Sequence, residues 1–267
     1  MRLNWLLCVL ELEPVLREHS DRSDINLPGN QLQLLKDAVN STQGRVVLVL
    51  YNGGPLDITW AKENKKVVAI LENFFPAQSA GTALAMILTG RYNPAGRLPF
   101  TWPASLDQIP PISNYSMVNR TYRYFSAKPL YPFGFGLSYT EFEYSNLSVV
   151  IPRTGTVKVG KNVTIRVSVT NTGSFNGDEV VQVYISWPEQ YRAIAPIRQL
   201  VGMKRIHIKR NRTINLRFTI TSKQMQLYTE RWKMISGVMQ VYVGGQQPMQ
   251  ENSAPSNVLQ SYFTIES

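Results

Sequence analysis

The stretch NVTIRVSVTN, residues 162–171, decides the architecture. Val163, Ile165, Val167 and Val169 fall on one side of an extended chain, and Thr164, Arg166, Ser168 and Thr170 on the other. A period of two with one apolar side is the pattern of a strand covered on one face only. The same alternation recurs downstream in DEVVQVYIS (178–186), RTINLRFTI (212–220), GVMQVYVGG (237–245) and VLQSYFTI (258–265), separated by turn-rich pieces such as NTGSFNGD. About seven short strands without helices predict a β-sandwich of immunoglobulin or fibronectin III type.

Upstream of this region the period is different. WLLCVL (5–10), VVLVLY (46–51) and VVAIL (67–71) are continuous apolar runs, as expected for strands covered on both faces. Helical patterns separate them: NQLQLLKDAV, then PLDITWAKEN with Asp57 just inside its first turn, then SAGTALAMILTG closed by Gly90. Strand, helix, strand, helix predicts a mostly parallel sheet wrapped by helices. The 267 residues are therefore read as a multidomain α/β plus all-β protein: an α/β sandwich over 1–113, a proline- and aromatic-rich linker over 114–142, and a fibronectin III-like β-sandwich over 143–267.

The linker ends in YPFGFGLSYTEF (131–142), five aromatics around two glycines. Gly134 and Gly136 give G-x-G, but Tyr139 stands where a dinucleotide fingerprint needs its third glycine. GLSYT does not satisfy a serine-nucleophile elbow. The stretch reads as a rigid joint between domains, with glycines where rings crowd the backbone.

Composition narrows the function classes. A net charge of +10 admits an anionic partner, yet the one dense basic run, Lys204 to Arg212, alternates with Ile206 and Ile208 as a solvated strand face and hairpin turn would. No nucleic-acid partner is expected. The single cysteine, Cys8, excludes an intrachain disulfide, and two histidines leave no metal cluster to assemble, so neither metal nor cofactor is expected. No apolar run reaches the roughly 18 residues of a membrane span. The opening MRLNWLLCVL lacks a small-residue cleavage site and reads as a strand whose upstream sequence is missing. Six Asn-X-Ser/Thr acceptors, at Asn40, Asn114, Asn119, Asn146, Asn162 and Asn211, point to a secreted or extracellular glycoprotein, with the lysosome as another destination on that route.

Several long motifs in order carry a resemblance: VVLVLYNGGPLDITW, VVAIL, NPAGRLPFTWP, NYSMVNRTYRYF and YPFGFGLSYTEF, continuing through DEVVQVYIS, RQLVGMKRI and GVMQVYVGG. Together they resemble the C-terminal portion of family 3 glycoside hydrolases, in particular the β-xylosidase and α-L-arabinofuranosidase branch. The resemblance implies an enzyme of three parts, of which the N-terminal catalytic (β/α)8 barrel is absent here. It also implies hydrolysis of xylo- or arabino-oligosaccharides with retention, in xylan catabolism. The nucleophilic aspartate of the family lies on the barrel, so no residue here takes that role and the chain alone is expected to be inactive.

The resemblance places the family's acid/base segment at LELEPVLREHSDRSDINLPGNQ. Glu18 falls on the second of two glutamates, while Leu16 replaces the first and His19 the usual glycine. Glu18 is thus either the proton donor or a solvated loop acid. Asp21 and Arg22 either line a sugar pocket or pair with each other. LENFFPAQSAG also departs from the family: Ala77 and Ala80 replace glycines, with strain expected if Ala77 needs a positive φ. Asn52, Gly53, Gly54 and Asp57 lie at the carboxyl end of the second strand, where ligands bind in open α/β sheets; the alternative, which the residue types favour, is a tight turn followed by an acid at a helix N-terminus. The departures leave a second function class open, a noncatalytic carbohydrate-binding or adhesion module.

Overall fold

The computed structural model describes residues 5–11, 22–75, 77–151, 155–248 and 257–266. The chain divides into two compact units, Met1–Thr89 with Trp102–Ile109, and Gly90–Thr101 with Pro110–Ser267.

The first unit runs β1 (Trp5–Glu11), α1 (Gln31–Ser41), β2 (Arg45–Tyr51), α2 (Thr59–Glu63), β3 (Val67–Glu72) and α3 (Ala80–Leu88). Its strands form a parallel sheet in the order β1-β2-β3. Each apolar run becomes a strand at the position its composition predicts. Helix α1 buries Leu35 and Val39, four residues apart on one face, and Lys66 Nζ donates to the carbonyls of Val39 (3.0 Å) and Thr42 (2.9 Å) at its end. Asp57 lies before α2 rather than inside it, and its carboxylate accepts from the Thr59 N–H at 3.1 Å.

Coverage on both faces, expected for all three strands, is found only for β2, whose Val46–Leu50 are buried. On β1, Cys8 and Leu10 point inward while Trp5, Leu7 and Val9 stay 52%, 45% and 45% exposed. Helix α3, AGTALAMIL, has no buried residue. A sheet face and a helix this apolar and uncovered favour self-association. The purified chain is expected to bind a hydrophobic dye and to elute above its monomer mass, and Leu7→Lys with Val9→Lys to return it toward monomer. A monodisperse wild-type monomer would contradict this.

The second unit contains β4 (Phe142–Val150), β5 (Thr156–Lys158), β6 (Val163–Asn171), β7 (Gly177–Ser186), β8 (Gln199–Ile208), β9 (Thr213–Ile220), β10 (Gln226–Tyr228), β11 (Trp232–Met234), β12 (Gly237–Gly244) and β13 (Val258–Glu266). A five-stranded sheet, β5-β13-β12-β7-β8, and a three-stranded sheet, β4-β6-β9, enclose one core. The inward set of β6 (Val163, Ile165, Val167, Val169) is at most 2% exposed. The alternation predicts about seven strands where ten are described; β5, β10 and β11 have three residues each, too few to show a period. Lys204 to Ile208 belong to β8 and Lys209 to Arg212 to the turn into β9.

The YPFGFGLSYTEF stretch belongs to this second unit. It covers the outer face of β7, which is therefore buried on both sides although its sequence alternates. Gln182 Nε2 donates to Gly134 O at 3.0 Å, Tyr122 stacks on Phe133 at 4.2 Å, and Tyr122 meets the edge of Tyr184 at 6.1 Å. The two glycines are crowded by polar groups rather than by rings. Gly134 has φ +76° with the Gln182 amide against it, and Gly136 faces the carbonyl of Gly96.

Candidate functional site

Strands β1, β2 and β3 end together, with Glu11 opposite Tyr51 and Leu50 opposite Glu72 in the ladder. Loops leaving the carboxyl ends of parallel strands form the crevice in which α/β sheets bind ligands. A polar cluster occupies that edge. Asn52 is fully buried and its Nδ2 donates to Glu72 Oε2 at 3.2 Å. The Phe74 N–H donates to Glu72 Oε1 at 2.9 Å, which holds Phe74 at φ +51°, a left-handed conformation unusual for an aromatic residue. Gln31, at the start of α1, donates from Nε2 to the Glu11 carbonyl at 2.7 Å.

Three buried polar atoms of this edge have no hydrogen-bond partner among the described residues: Asn52 Oδ1, Asn73 Nδ2 and Gln31 Oε1. Buried polar groups are nearly always paired, so orphans gathered at one sheet edge mark a place where hydroxyl or amide groups of another molecule can bind. Burial pushes the Glu72 carboxyl up to about 7, against the opposing pull of the Phe74 N–H and the Asn52 amide. A carboxyl group that exchanges its proton near neutrality can serve as an acid or a base.

This sets a pH dependence. The native state binds the Glu72 proton more tightly than the unfolded chain, so its contribution is complete below about pH 4.5 and is lost as pH rises through about 7. The loss is about 2 kcal/mol once partial exposure is allowed for. Urea melts from pH 4.5 to 8 are expected to show stability falling across this window in the wild type and a flatter profile in Glu72→Gln. An unchanged slope in the variant would remove Glu72 as the source.

Glu72 was not singled out by sequence reasoning, which ended the run VVAIL one residue earlier. The available signal was an acid terminating an apolar parallel strand. Of the residues that were singled out, Glu18 and Asp21 lie outside the described residues, as do Leu16 and His19. Arg22 contacts Asp24 Oδ1 at 3.4 Å and donates to the Asn26 carbonyl, so its guanidinium is engaged within its own loop. Trp102 is core, 1% exposed, with Nε1 donating to Leu56 O at 2.7 Å. Ala77 is exposed, and Phe74, three residues earlier, is left-handed at φ +51°.

Five sequon asparagines, Asn40, Asn114, Asn146, Asn162 and Asn211, are exposed, and Asn119 is half-buried. Asn119, Asn146 and Asn211 have φ near +55°, a conformation asparagine tolerates better than most residues. At these three positions the backbone alone accounts for asparagine. In the basic run, Arg205 and His207 both pair with Asp178, at 2.7 Å each, as a solvated strand face would.

Comparison with known proteins adds a consistent set of relatives. Residues 5–139 match the Glycosyl hydrolase family 3 C-terminal domain and residues 179–247 the Fibronectin type III-like domain. A periplasmic beta-glucosidase of Salmonella typhimurium is 34% identical over 248 residues, covering 88% of this chain and 32% of its own length. Probable beta-D-xylosidase 6 of Arabidopsis thaliana is 31% identical, covering 82% of this chain and 32% of its own length. The structure of a Listeria innocua beta-glucosidase in complex with glucose superposes with a TM-score of 0.81 at 26% identity, over 100% of this chain and 37% of that one. The chain spans about a third of the length of the curated relatives it matches.

Proposed function

The chain belongs to glycosyl hydrolase family 3, and from that premise we propose that it is the carboxyl-terminal portion of a secreted β-xylosidase-like enzyme that cleaves xylo-oligosaccharides with retention. The catalytic barrel is not part of this chain. A retaining mechanism requires two carboxyl groups roughly 5–5.5 Å apart, one attacking the anomeric carbon and one handing a proton to the leaving oxygen. The attacking carboxylate comes from the barrel, and the residue proposed here for the proton is Glu18, with Asp21 and Arg22 at the sugar.

The observation that carries this reading is the polar carboxyl edge of the parallel sheet. The segment bearing Glu18 leaves β1 after Glu11, at the edge where Asn52 and Glu72 meet. The uncovered apolar faces of β1 and α3 support a chain that works beside a further body. The periplasmic and plant relatives, with the exposed acceptor asparagines Asn40, Asn114 and Asn162, support secretion, and no helix among the described residues is long and apolar enough to cross a membrane.

A second reading rests on Leu16 and His19, which depart from the acid/base pattern: a noncatalytic carbohydrate-binding or adhesion module. The purified chain is expected to release no xylose or glucose from aryl glycosides above background under either reading. Sustained turnover that disappears in Glu18→Gln would overturn the dependence on a separate nucleophile. In a version extended by the barrel, turnover of an aryl xyloside supports the enzyme, and xylo-oligosaccharide binding without turnover supports the module. Turnover confined to an aryl glucoside would move the specificity toward the beta-glucosidase relatives.

A further inference from the structure

The outward face of the β4-β6-β9 sheet carries a groove of about 450 Å³ lined by Asn146, Ser148, Arg166, Ser168, Asn215 and Arg217. It lies within the second unit and has no bearing on the sheet edge described above. Arg166 and Arg217 stand directly opposite each other in the antiparallel β6–β9 register, and Ser148 stands opposite Arg166 from β4. Like charges at directly opposed positions destabilise a sheet, so this pair works against the fold.

No acid lines the groove to offset these charges. Glu143, on β4, pairs with Thr170, four residues along β6 from Arg166 and therefore roughly 13 Å away. The neutral lining is built to hold its shape. Ser168 Oγ donates to Asn215 Oδ1 at 2.8 Å and accepts from Asn146 Nδ2 at 3.3 Å, which fixes both amides beside the arginines. The register shift between Ser145 and Ser148 and the left-handed φ of Asn146 belong to the same rim.

Arg217 donates from Nη2 to Thr164 Oγ1 at 3.3 Å, on the same face of β6 as Arg166. Two arginines at opposed positions can close on a planar or tetrahedral anion, and amides and a hydroxyl beside them suit sugar hydroxyls. The lining has no aromatic side chain, which argues against stacked bases and against a neutral pyranose held by its face. We propose that this groove binds an anionic saccharide, through Arg166 and Arg217 to a carboxylate or sulfate and through Asn146, Ser148 and Asn215 to hydroxyls. Asn146 also opens an Asn-X-Ser sequence, so a glycan attached there would occupy the groove in place of the ligand.

The test is calorimetric titration of the bacterially produced, unglycosylated chain with glucuronic-acid-substituted xylo-oligosaccharide, which offers a carboxylate alone, and with a heparin hexasaccharide, which offers sulfates beside its carboxylates, so that binding of heparin alone assigns the sulfate. Neutral xylohexaose and single-stranded DNA serve as controls. Saturable binding to at least one acidic sugar is expected, weakening as salt rises. Arg166→Gln and Arg217→Gln should each weaken it at least tenfold with a thermal midpoint equal to or above wild type, because the repulsion is relieved. Lys209→Gln with Arg210→Gln, in the neighbouring turn, should leave it unchanged. Absence of saturable binding, equal loss in the turn variant, tighter binding of DNA or xylohexaose, or a lowered midpoint in the arginine variants would each overturn the proposal.

Discussion

Arg97→Met is expected to destabilise the second unit by about 3–5 kcal/mol. Arg97 Nη2 lies 2.8 Å from Glu179 Oε2, with the two side chains only 9% and 1% exposed. The other carboxylate oxygen accepts from the Tyr144 hydroxyl at 2.7 Å, and Tyr144 is itself 1% exposed. Burial, and then the adjacent Glu179 charge, push the Tyr144 phenol well above its ordinary range, so it stays a donor at every working pH. Removing the guanidinium leaves a charged carboxylate inside the sandwich with a single neutral donor, and that residual charge, rather than the lost bond, sets the size of the effect. Two further variants separate these contributions. Tyr144→Phe should cost about 1.5–3 kcal/mol, the value of one hydrogen bond to a charged group. Arg97→Met with Glu179→Leu should recover much of the loss, since it removes both charges. Urea denaturation of the four proteins decides the matter; a cost below about 1 kcal/mol for Arg97→Met would mean that water reaches Glu179.

The same network shows how far the sequence could be read. The β7 run DEVVQVYIS alternates like a strand with one solvent face, yet Glu179, Gln182 and Tyr184 are all buried. Alternation reports polarity, not exposure, and here the polar side chains are buried with partners supplied by residues up to 82 positions away. Strand positions and the two-part architecture were legible because period and length depend on local sequence. The opposite error occurs on β1, where continuous apolar residues promise two covered faces and the chain covers one. The sheet edge was legible as a place, through Asn52 at the end of β2. Its titrating group was not, because the shift at Glu72 comes from burial, against the pull of the Phe74 N–H and the Asn52 amide, and none of these is written in the run VVAILENFF.

Gly136→Ala is expected to cost at least about 2 kcal/mol, at the upper end of overpacking effects. A Cβ at this position would lie 2.1 Å from the Gly96 carbonyl oxygen and within 3.1–3.2 Å of the Arg97 side chain. A flexible neighbour could move, but Gly96 O belongs to a backbone pinned two residues on at Leu98, whose N–H donates to Phe135 O and whose carbonyl accepts from the Gly134 N–H, at 2.8 Å each. The strain therefore passes into the segment that positions Arg97 against Glu179. Gly136 and Arg97 should then be coupled, so that Gly136→Ala costs distinctly less in an Arg97→Met, Glu179→Leu background than in the wild type. By contrast Gly54→Ala, with nothing within 4 Å of the added atom and no positive φ, should stay within about 0.5 kcal/mol. Equal costs at Gly136 in both backgrounds would confine the clash to the glycine pair and separate the aromatic run from the buried ion pair.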